Sequence, residues 1–118
     1  PDASCRPLWY AVFCQTGDTI MSNRTALNES EIQSRLADLP GWSVREGALE
    51  RVITGKNYQQ ALDWLYAIGQ LAERENHHPD MRLDYKTLTV RFWTHTANGI
   101  TALDCEMAAE VNRLLPSV

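Results

Sequence analysis

The chain has 118 residues, 44% of them hydrophobic and 22% charged, which fits one compact domain that buries its own core. Its formal net charge is −4 and no block of Lys and Arg stands out, which argues against a nucleic-acid partner because phosphate contacts need clustered positive charge. The longest apolar run, residues 8–14, is far shorter than a membrane span, so we expect no membrane partner.

The first twenty residues differ from the rest of the chain. Met21, Ser22 and Asn23 resemble an ordinary start, and no methionine precedes them. We therefore predict that residues 1–20 are a cloning-derived or upstream-translated extension outside the fold, with an ordered N-terminal arm as the alternative. Residues 21–118 would then form the single domain, and a chain that begins at Met21 should keep its melting temperature and activity.

A short helix and a hairpin are the first predicted elements. Asn28, followed three residues later by Glu31, matches a capping box and predicts a helix over residues 29–39. Residues 42–54 then carry two stretches of alternating and β-branched side chains around a glycine turn, which predicts two strands. Arg51 interrupts the alternation of the second strand.

A longer helix is predicted from about residue 58 to residue 74, with Asn57 as its N-cap. Its apolar side chains cover about half of the circumference: Ala61, Leu62, Trp64, Leu65, Ile68, Leu71 and Ala72. A helix that packs on one sheet needs an apolar stripe of only about 100°. The wider arc therefore predicts a contact with another subunit. The alternative is that Trp64 and Leu71 are simply half-exposed.

Two more strands and a helix complete the chain. Pro79 ends the long helix, and residues 81–85 and 88–93 alternate as the strands of a second hairpin, although its turn has no Gly or Asn. Thr101 can cap a last helix that ends near residue 115. The order α-β-β-α-β-β-α predicts an α+β fold, with a four-stranded antiparallel sheet and three helices packed on one face.

The three histidines of the chain are clustered, and two of them are adjacent: His77, His78 and His95. Histidine is the side chain whose reference pKa suits acid and base work near neutrality. His77 and His78 lie where a helix passes into a strand, and His95 lies near the end of a strand, where a side chain can reach a pocket. We predict an acid–base site, against the alternative that His95 is only a solvent-facing strand terminus.

Other chemistry finds less support in the sequence. Three histidines with a water would suit zinc, but tandem histidines rarely converge on one ion and neither HxH nor HExxH is present, so we predict no metal. There is no phosphate loop, nucleotide fingerprint or GxSxG motif. Cys5, Cys14 and Cys105 are scattered, which indicates reduced thiols in a cytoplasmic protein, with Cys105 as a small apolar helix residue. The residues alone indicate a small acid–base enzyme or a binding domain.

The run ERENHHP at residues 73–79, followed by Tyr85, Thr94, His95 and Asp104, resembles the signature of the pterin-4a-carbinolamine dehydratase family. The resemblance extends over residues 27–115. It implies the dehydration of 4a-hydroxytetrahydropterin, which aromatic amino acid hydroxylases leave, to quinonoid dihydropterin. It also implies the fold predicted above, a homotetramer, and no metal or bound cofactor, since the pterin is the substrate.

The resemblance further implies roles for single residues. His77 and His95 would transfer protons, while His78 would mainly hold the pterin. Glu73 would orient a histidine or remain a solvated carboxylate at the helix end, and Pro79 would shape the loop.

Thr94 would support the site, and Asp104 matches the family aspartate, although its place as third residue of the last helix also suggests a capping role. Tyr85 is expected in the core rather than at the ligand. Met81 departs from the family because many members carry an aromatic residue there. A protein-binding or regulatory scaffold on the same fold stays open as the alternative function.

Overall fold

The computed structural model describes residues 25–115, so the extension predicted for residues 1–20 lies outside the described part. The elements follow in the order α1 (Glu29–Leu36), β1 (Trp42–Arg45), β2 (Ala48–Thr54), α2 (Tyr58–Glu75), β3 (Asp80–Asp84), β4 (Thr87–Phe92) and α3 (Ala102–Leu114), with a 3₁₀ turn (His95–Ala97) between β4 and α3. The predicted α+β order is confirmed. Within residues 25–115, no helix is both long and apolar enough to cross a membrane.

The four strands form one antiparallel sheet in the order β1-β2-β4-β3, so the two central strands come from different hairpins. Leu49 of β2 lies opposite Phe92 of β4, and Ile53 lies opposite Leu88. Because side chains alternate along a strand, this register brings the apolar residues of both hairpins to one face of the sheet.

The helices cover that apolar face. The buried core is drawn from β2, β4, α2 and α3, and partly buried residues of α1 pack against it. Its most completely buried large side chains are Phe92, Leu49, Ile53, Ile68, Leu88 and Met107. Cys105 of α3 is buried here as well, and burial raises the pKa of its thiol to about 11. A thiol that stays protonated at neutral pH serves as an apolar packing group, as predicted.

The start of α1 is as predicted, but its end is not. The Asn28 side chain accepts from the Glu31 N–H at 2.8 Å, and the Glu31 carboxylate accepts from the Asn28 N–H at 2.9 Å. The helix ends at Leu36 rather than near residue 39, because the chain tightens into turns there and directs Leu39 into the core. Burial of the Leu39 side chain therefore stabilises the fold more than a further turn of α1 would.

Arg51, which interrupts the alternation of β2, lies on the core-facing side of the sheet opposite Trp42. Its guanidinium donates to the Asn112 side-chain oxygen, which also accepts from Trp42 Nε1 at 2.9 Å, and the Asn112 amide donates to the Pro40 carbonyl at 3.1 Å. Burial lowers the pKa of Arg51 from its ordinary value. Gly41, at φ +90°, provides the space for the Arg51 side chain, because a Cβ at this position would lie 3.0 Å from Arg51 Nε. The polar cluster thus ties the first hairpin to α3.

We expect Asn112→Ala to lower the free energy of unfolding by about 1–3 kcal/mol, because Trp42 and the half-buried Arg51 would lose their shared acceptor. Chemical denaturation at neutral pH measures the effect. Gln33→Ala, on the exposed side of α1, serves as the control and should change stability by less than about 0.5 kcal/mol. Equal midpoints for both variants would contradict a stabilising role for Asn112.

The prediction that Tyr85 lies in the core is wrong. The residue lies in the turn between β3 and β4, where 69% of it is exposed. It adopts φ 55°, a conformation that Gly or Asn usually supplies in a two-residue hairpin turn. Its ring stacks on that of Tyr58 at 6.4 Å, at the start of α2. The helix is about 27 Å long, so Tyr85 is remote from the histidines at its other end.

Candidate active site

The three histidines line one cleft of about 290 Å³, together with Asn76, Trp93, Thr94 and Thr96. Asn76 ends α2 in the left-handed conformation, with φ 55°, and the His77 N–H bonds back to the Ala72 carbonyl at 3.1 Å. This reversal turns His77 and His78 out of the helix just before Pro79 leads into β3. His95 reaches the same cleft from the 3₁₀ turn that follows β4, and not from the strand itself.

His77 is the most enclosed of the three histidines, with 12% of its side chain exposed. Its Nε2 lies 2.5 Å from Oδ1 of Asp104, a residue of α3 that is completely buried. The imidazole also stacks on Phe92 of β4, with 5.9 Å between the ring centres and 9° between the planes. Helix α3 and strand β4 therefore hold the ring in one orientation.

The other oxygen of Asp104 is saturated by donors. Oδ2 accepts from Thr94 Oγ1 and from the Thr101 N–H, both at 2.9 Å, and Thr101 Oγ1 lies 3.3 Å away. The two threonine hydroxyls also contact each other at 2.8 Å. One carboxylate thus caps α3 with one oxygen and contacts His77 with the other. The expected capping role and a role in the site are combined in a single residue.

His78 lies at the mouth of the cleft and is exposed. Its Nε2 is 2.9 Å from Oε1 of Glu73, which lies in the last turn of α2. Glu73 therefore contacts a histidine, but the partner is His78 and not the enclosed His77. Both side chains are largely exposed, so this contact contributes little to stability.

Trp93 is the site residue that sequence reasoning did not single out. Its ring centre lies 4.5 Å from that of His95, and the guanidinium carbon of Arg91 lies 5.8 Å from its ring centre. It lines the histidine cleft as an aromatic wall. The signal was present in its spacing two residues before His95, which places both residues on the same side of an extended chain.

Residues 25–115 contain no group of three or more His, Cys, Asp or Glu residues arranged to hold a metal ion. Instead, the cleft combines an enclosed imidazole paired with a buried carboxylate, a second imidazole beside an aromatic wall, and a third at its mouth. Such an arrangement can take a proton from one atom of a bound molecule and deliver one to another.

The fold and the cleft define a small α+β protein with histidines placed for proton transfer. A family model described as "Pterin 4 alpha carbinolamine dehydratase" matches residues 25–114. The chain belongs to the pterin-4a-carbinolamine dehydratase family, as the sequence motif predicted.

Relatives from bacteria support the assignment. A protein from Mycolicibacterium smegmatis, provisionally named a pterin-4-alpha-carbinolamine dehydratase, is 36% identical over 89 residues, which cover 75% of this chain and 95% of the relative. A relative of the same provisional name from Dechloromonas aromatica is 32% identical over 114 residues, 97% of this chain and 91% of its own. The crystal structure of a transcriptional coactivator/pterin dehydratase from Brucella melitensis superposes with a TM-score of 0.73 at 32% identity, covering 76% of this chain and 98% of that one.

Proposed function

We propose that the protein dehydrates 4a-hydroxytetrahydropterin to quinonoid dihydropterin by histidine acid–base catalysis, and so recycles the pterin cofactor of aromatic amino acid hydroxylases. The observation that carries the proposal is the cleft in which three histidines meet, with His77 held by the buried Asp104. The reaction breaks the bond between C4a and the hydroxyl oxygen, which leaves as water after protonation, and removes a proton from the neighbouring ring nitrogen. Electrons and protons balance without an oxidant, a reductant or a metal.

His77 is the proposed base, and Asp104 determines which of its nitrogens is available. The donors on Oδ2 suit an ionised carboxylate, and an ionised carboxylate can only accept hydrogen bonds. The contact at 2.5 Å therefore requires His77 Nε2 to donate through its hydrogen to Oδ1. The lone pair of the neutral ring is then on Nδ1, and the carboxylate also stabilises the imidazolium that forms when Nδ1 takes a proton.

His95 is the proposed acid for the departing hydroxyl. His95 is exposed on the wall of the cleft, where its ring lies beside the ring of Trp93. Exposure lets His95 regain a proton from water after each turnover. His78 and Glu73, at the mouth, are proposed to hold the pterin rather than to move protons.

A direct assay tests the proposal. The 4a-hydroxytetrahydropterin is generated in place by a pterin-dependent hydroxylase, and formation of the quinonoid product is followed by its absorbance. We expect the chain to accelerate this step above the uncatalysed dehydration, with equal rates before and after prolonged chelation. A rate equal to the background would overturn the function, and stoichiometric zinc with loss of turnover on chelation would overturn the metal-free chemistry.

A second candidate function is a protein-binding or regulatory scaffold, and the observation in its favour is the structural similarity to the Brucella transcriptional coactivator/pterin dehydratase. A scaffold has no physical need for an enclosed Asp–His pair beside two further histidines. The assay above therefore separates the two candidates. A cytoplasmic setting is also proposed, because the buried Cys105 is a free thiol.

The protein is also proposed to be a homo-oligomer, with four as the number that the family resemblance implies. Leu71 of α2 is buried, but Trp64 and Leu65 are only partly covered by the core, and Tyr66 is exposed. We expect light scattering to give a species larger than the 13.4 kDa monomer, and Trp64→Glu to shift it toward smaller species. Gln33→Glu on α1 is the control for added charge. A wild-type monomer at micromolar concentration would contradict the proposal.

A further inference from the structure

Three side chains spaced two residues apart form a row that runs from the sheet to the histidine cleft: Arg91, Trp93 and His95. The guanidinium carbon of Arg91 lies 5.8 Å from the centre of the Trp93 ring, within the range of a cation–π contact. The Trp93 ring centre lies 4.5 Å from that of His95, with 32° between the planes. Trp93 therefore connects a cation on β4 with one of the histidines of the cleft.

Arg91 is anchored to the turn between β1 and β2. One terminal nitrogen of its guanidinium donates to the Arg45 carbonyl at 2.8 Å and to the Glu46 carbonyl at 3.4 Å. The other terminal nitrogen lies 4.0 Å from the Glu46 carboxylate. Backbone carbonyls of a tight hairpin turn move little relative to the sheet, so they give the guanidinium a fixed point of attachment.

The third nitrogen of the guanidinium indicates which contacts determine its position. Nε of Arg91 is buried and has no hydrogen-bond partner within residues 25–115, although the Glu50 carboxylate on β2 lies 3.8 Å away. A buried N–H donor without an acceptor is unfavourable, and few folded proteins contain many of them. The side chain forgoes this hydrogen bond in a position where it contacts the turn carbonyls and the Trp93 ring.

His77 and His95 are held in different ways. The His77 ring lies between the buried Asp104 carboxylate and the Phe92 ring. His95 is exposed, belongs to the 3₁₀ turn and has the Trp93 ring beside it. Exposed side chains exchange rotamers rapidly, so the direction of the His95 imidazole depends strongly on this aromatic neighbour.

We propose that Arg91 is a positioning residue for the dehydration: anchored to the β1–β2 turn, it holds the Trp93 ring in the orientation that keeps the His95 imidazole directed into the cleft. The inference rests on the proposed function, in which His95 is the acid for the departing hydroxyl. The charge of Arg91 is already compensated by Glu46 and Glu50. What Arg91 supplies is a planar group whose donors are fixed by the turn, which a lysine cannot reproduce.

Variants of Trp93 test the aromatic contact. Trp93→Leu should lower kcat by about ten- to a hundredfold, because a small misplacement of a reacting group can cost that much. Trp93→Phe retains a ring beside His95 and should keep kcat within about threefold of the wild type. If Trp93 acted only by contacting the substrate, its loss would raise KM and leave kcat unchanged, and that result would contradict the inference.

Arg91→Lys tests the anchor, because it keeps the positive charge and loses the planar fork of donors. It should lower kcat by about three- to tenfold with little change in KM. Arg82→Lys is the matched control, since Arg82 lies on β3 and pairs with Asp84 of the same strand at 2.8 Å. It should leave kcat unchanged. Equal kcat values for the two lysine variants would exclude the positioning role.

A double variant separates positioning from stability. In the His95→Ala background, Arg91→Lys should lower kcat no further, because the ring that Arg91 orients through Trp93 is absent. A full further loss would show that Arg91 acts through the stability of the sheet and not through His95.

Proton NMR of the histidine rings needs no turnover and so keeps this inference separable from the proposed function. The chain has three histidines, and replacing each by alanine assigns their ring resonances. At about pH 9, where free imidazoles are neutral, the ring current of Trp93 shifts the His95 protons. Arg91→Lys keeps the charge, so a shift toward the resonances of Trp93→Leu would report a moved ring, and Arg82→Lys should cause none.

The two failures are then distinct. A wild type that does not accelerate dehydration removes the proposed function, while the NMR comparison still tests the contact between Arg91, Trp93 and His95. His95 resonances that are identical in the wild type and in Arg91→Lys would show that Arg91 does not position the ring, whatever the activity of the chain.

Discussion

His77→Ala and His95→Ala are each expected to lower kcat by about 10²–10⁴-fold, with little change in KM. Both rings line the histidine cleft, and each is proposed to move one of the two protons that dehydration requires. A group that acts mainly in the transition state affects kcat and kcat/KM together, whereas loss of uniform binding raises KM alone. Steady-state rates, corrected for the uncatalysed dehydration, measure the effect.

His78→Ala is the matched control, since His78 lies at the exposed mouth of the same cleft. It should mainly raise KM. The double variant His77→Ala with His95→Ala should lose less than the product of the single losses, because groups that act as a unit are not additive. Three single variants with wild-type kcat and KM would show that the histidines are structural, and the scaffold candidate would then lead.

Asp104→Asn is expected to lower kcat by roughly 10²–10⁴-fold by reversing the tautomer of His77. The asparagine oxygen is needed as acceptor for Thr94 Oγ1 and the Thr101 N–H, so its amide must face His77. A facing amide donates, which requires Nε2 of His77 to accept and puts the ring hydrogen on Nδ1. The proposed base would then have no lone pair toward the substrate, while the cap of α3 would be retained.

A double-mutant cycle separates this effect from a structural one. In the His77→Ala background, Asp104→Asn should cost little further kcat, because the ring that Asp104 orients is absent. KM and the melting temperature should change much less than kcat in the single variant. Full additivity of the two losses would indicate that Asp104 acts through the stability of α3 and not through His77.

Much of the fold follows from local sequence. Asn28 and Glu31 are three residues apart, which is the distance that a capping box bridges. The strand and helix periodicities of residues 42–114 predict the observed element order, because each depends only on near neighbours along the chain. The tandem histidines before Pro79 and the spacing to His95 also predict one cleft and the family.

Other features depend on groups that are distant in sequence. The place of Arg51 on the core side of β2 depends on Asn112, sixty-one residues away, which supplies the acceptor that its guanidinium requires. The exposure of Tyr85 depends on the hairpin turn and on the ring of Tyr58, so an aromatic residue in a family motif was wrongly expected in the core. The pattern of neighbouring residues around Arg51 and Tyr85 does not show that Asn112 and Tyr58 will be their partners.

The sequence by itself determined the elements, their order, the family and the choice of the three histidines as candidate site residues. All of these depend on residue type and on the spacing of near neighbours along the chain. Only the tertiary structure decided how one buried carboxylate of α3 is divided between a helix cap and His77, and that the Trp93 ring forms a wall of the histidine cleft beside His95. Hydrogen-bond direction and cleft shape arise where α2, β4 and α3 converge. No run of consecutive residues can specify them, because they are properties of the space between elements.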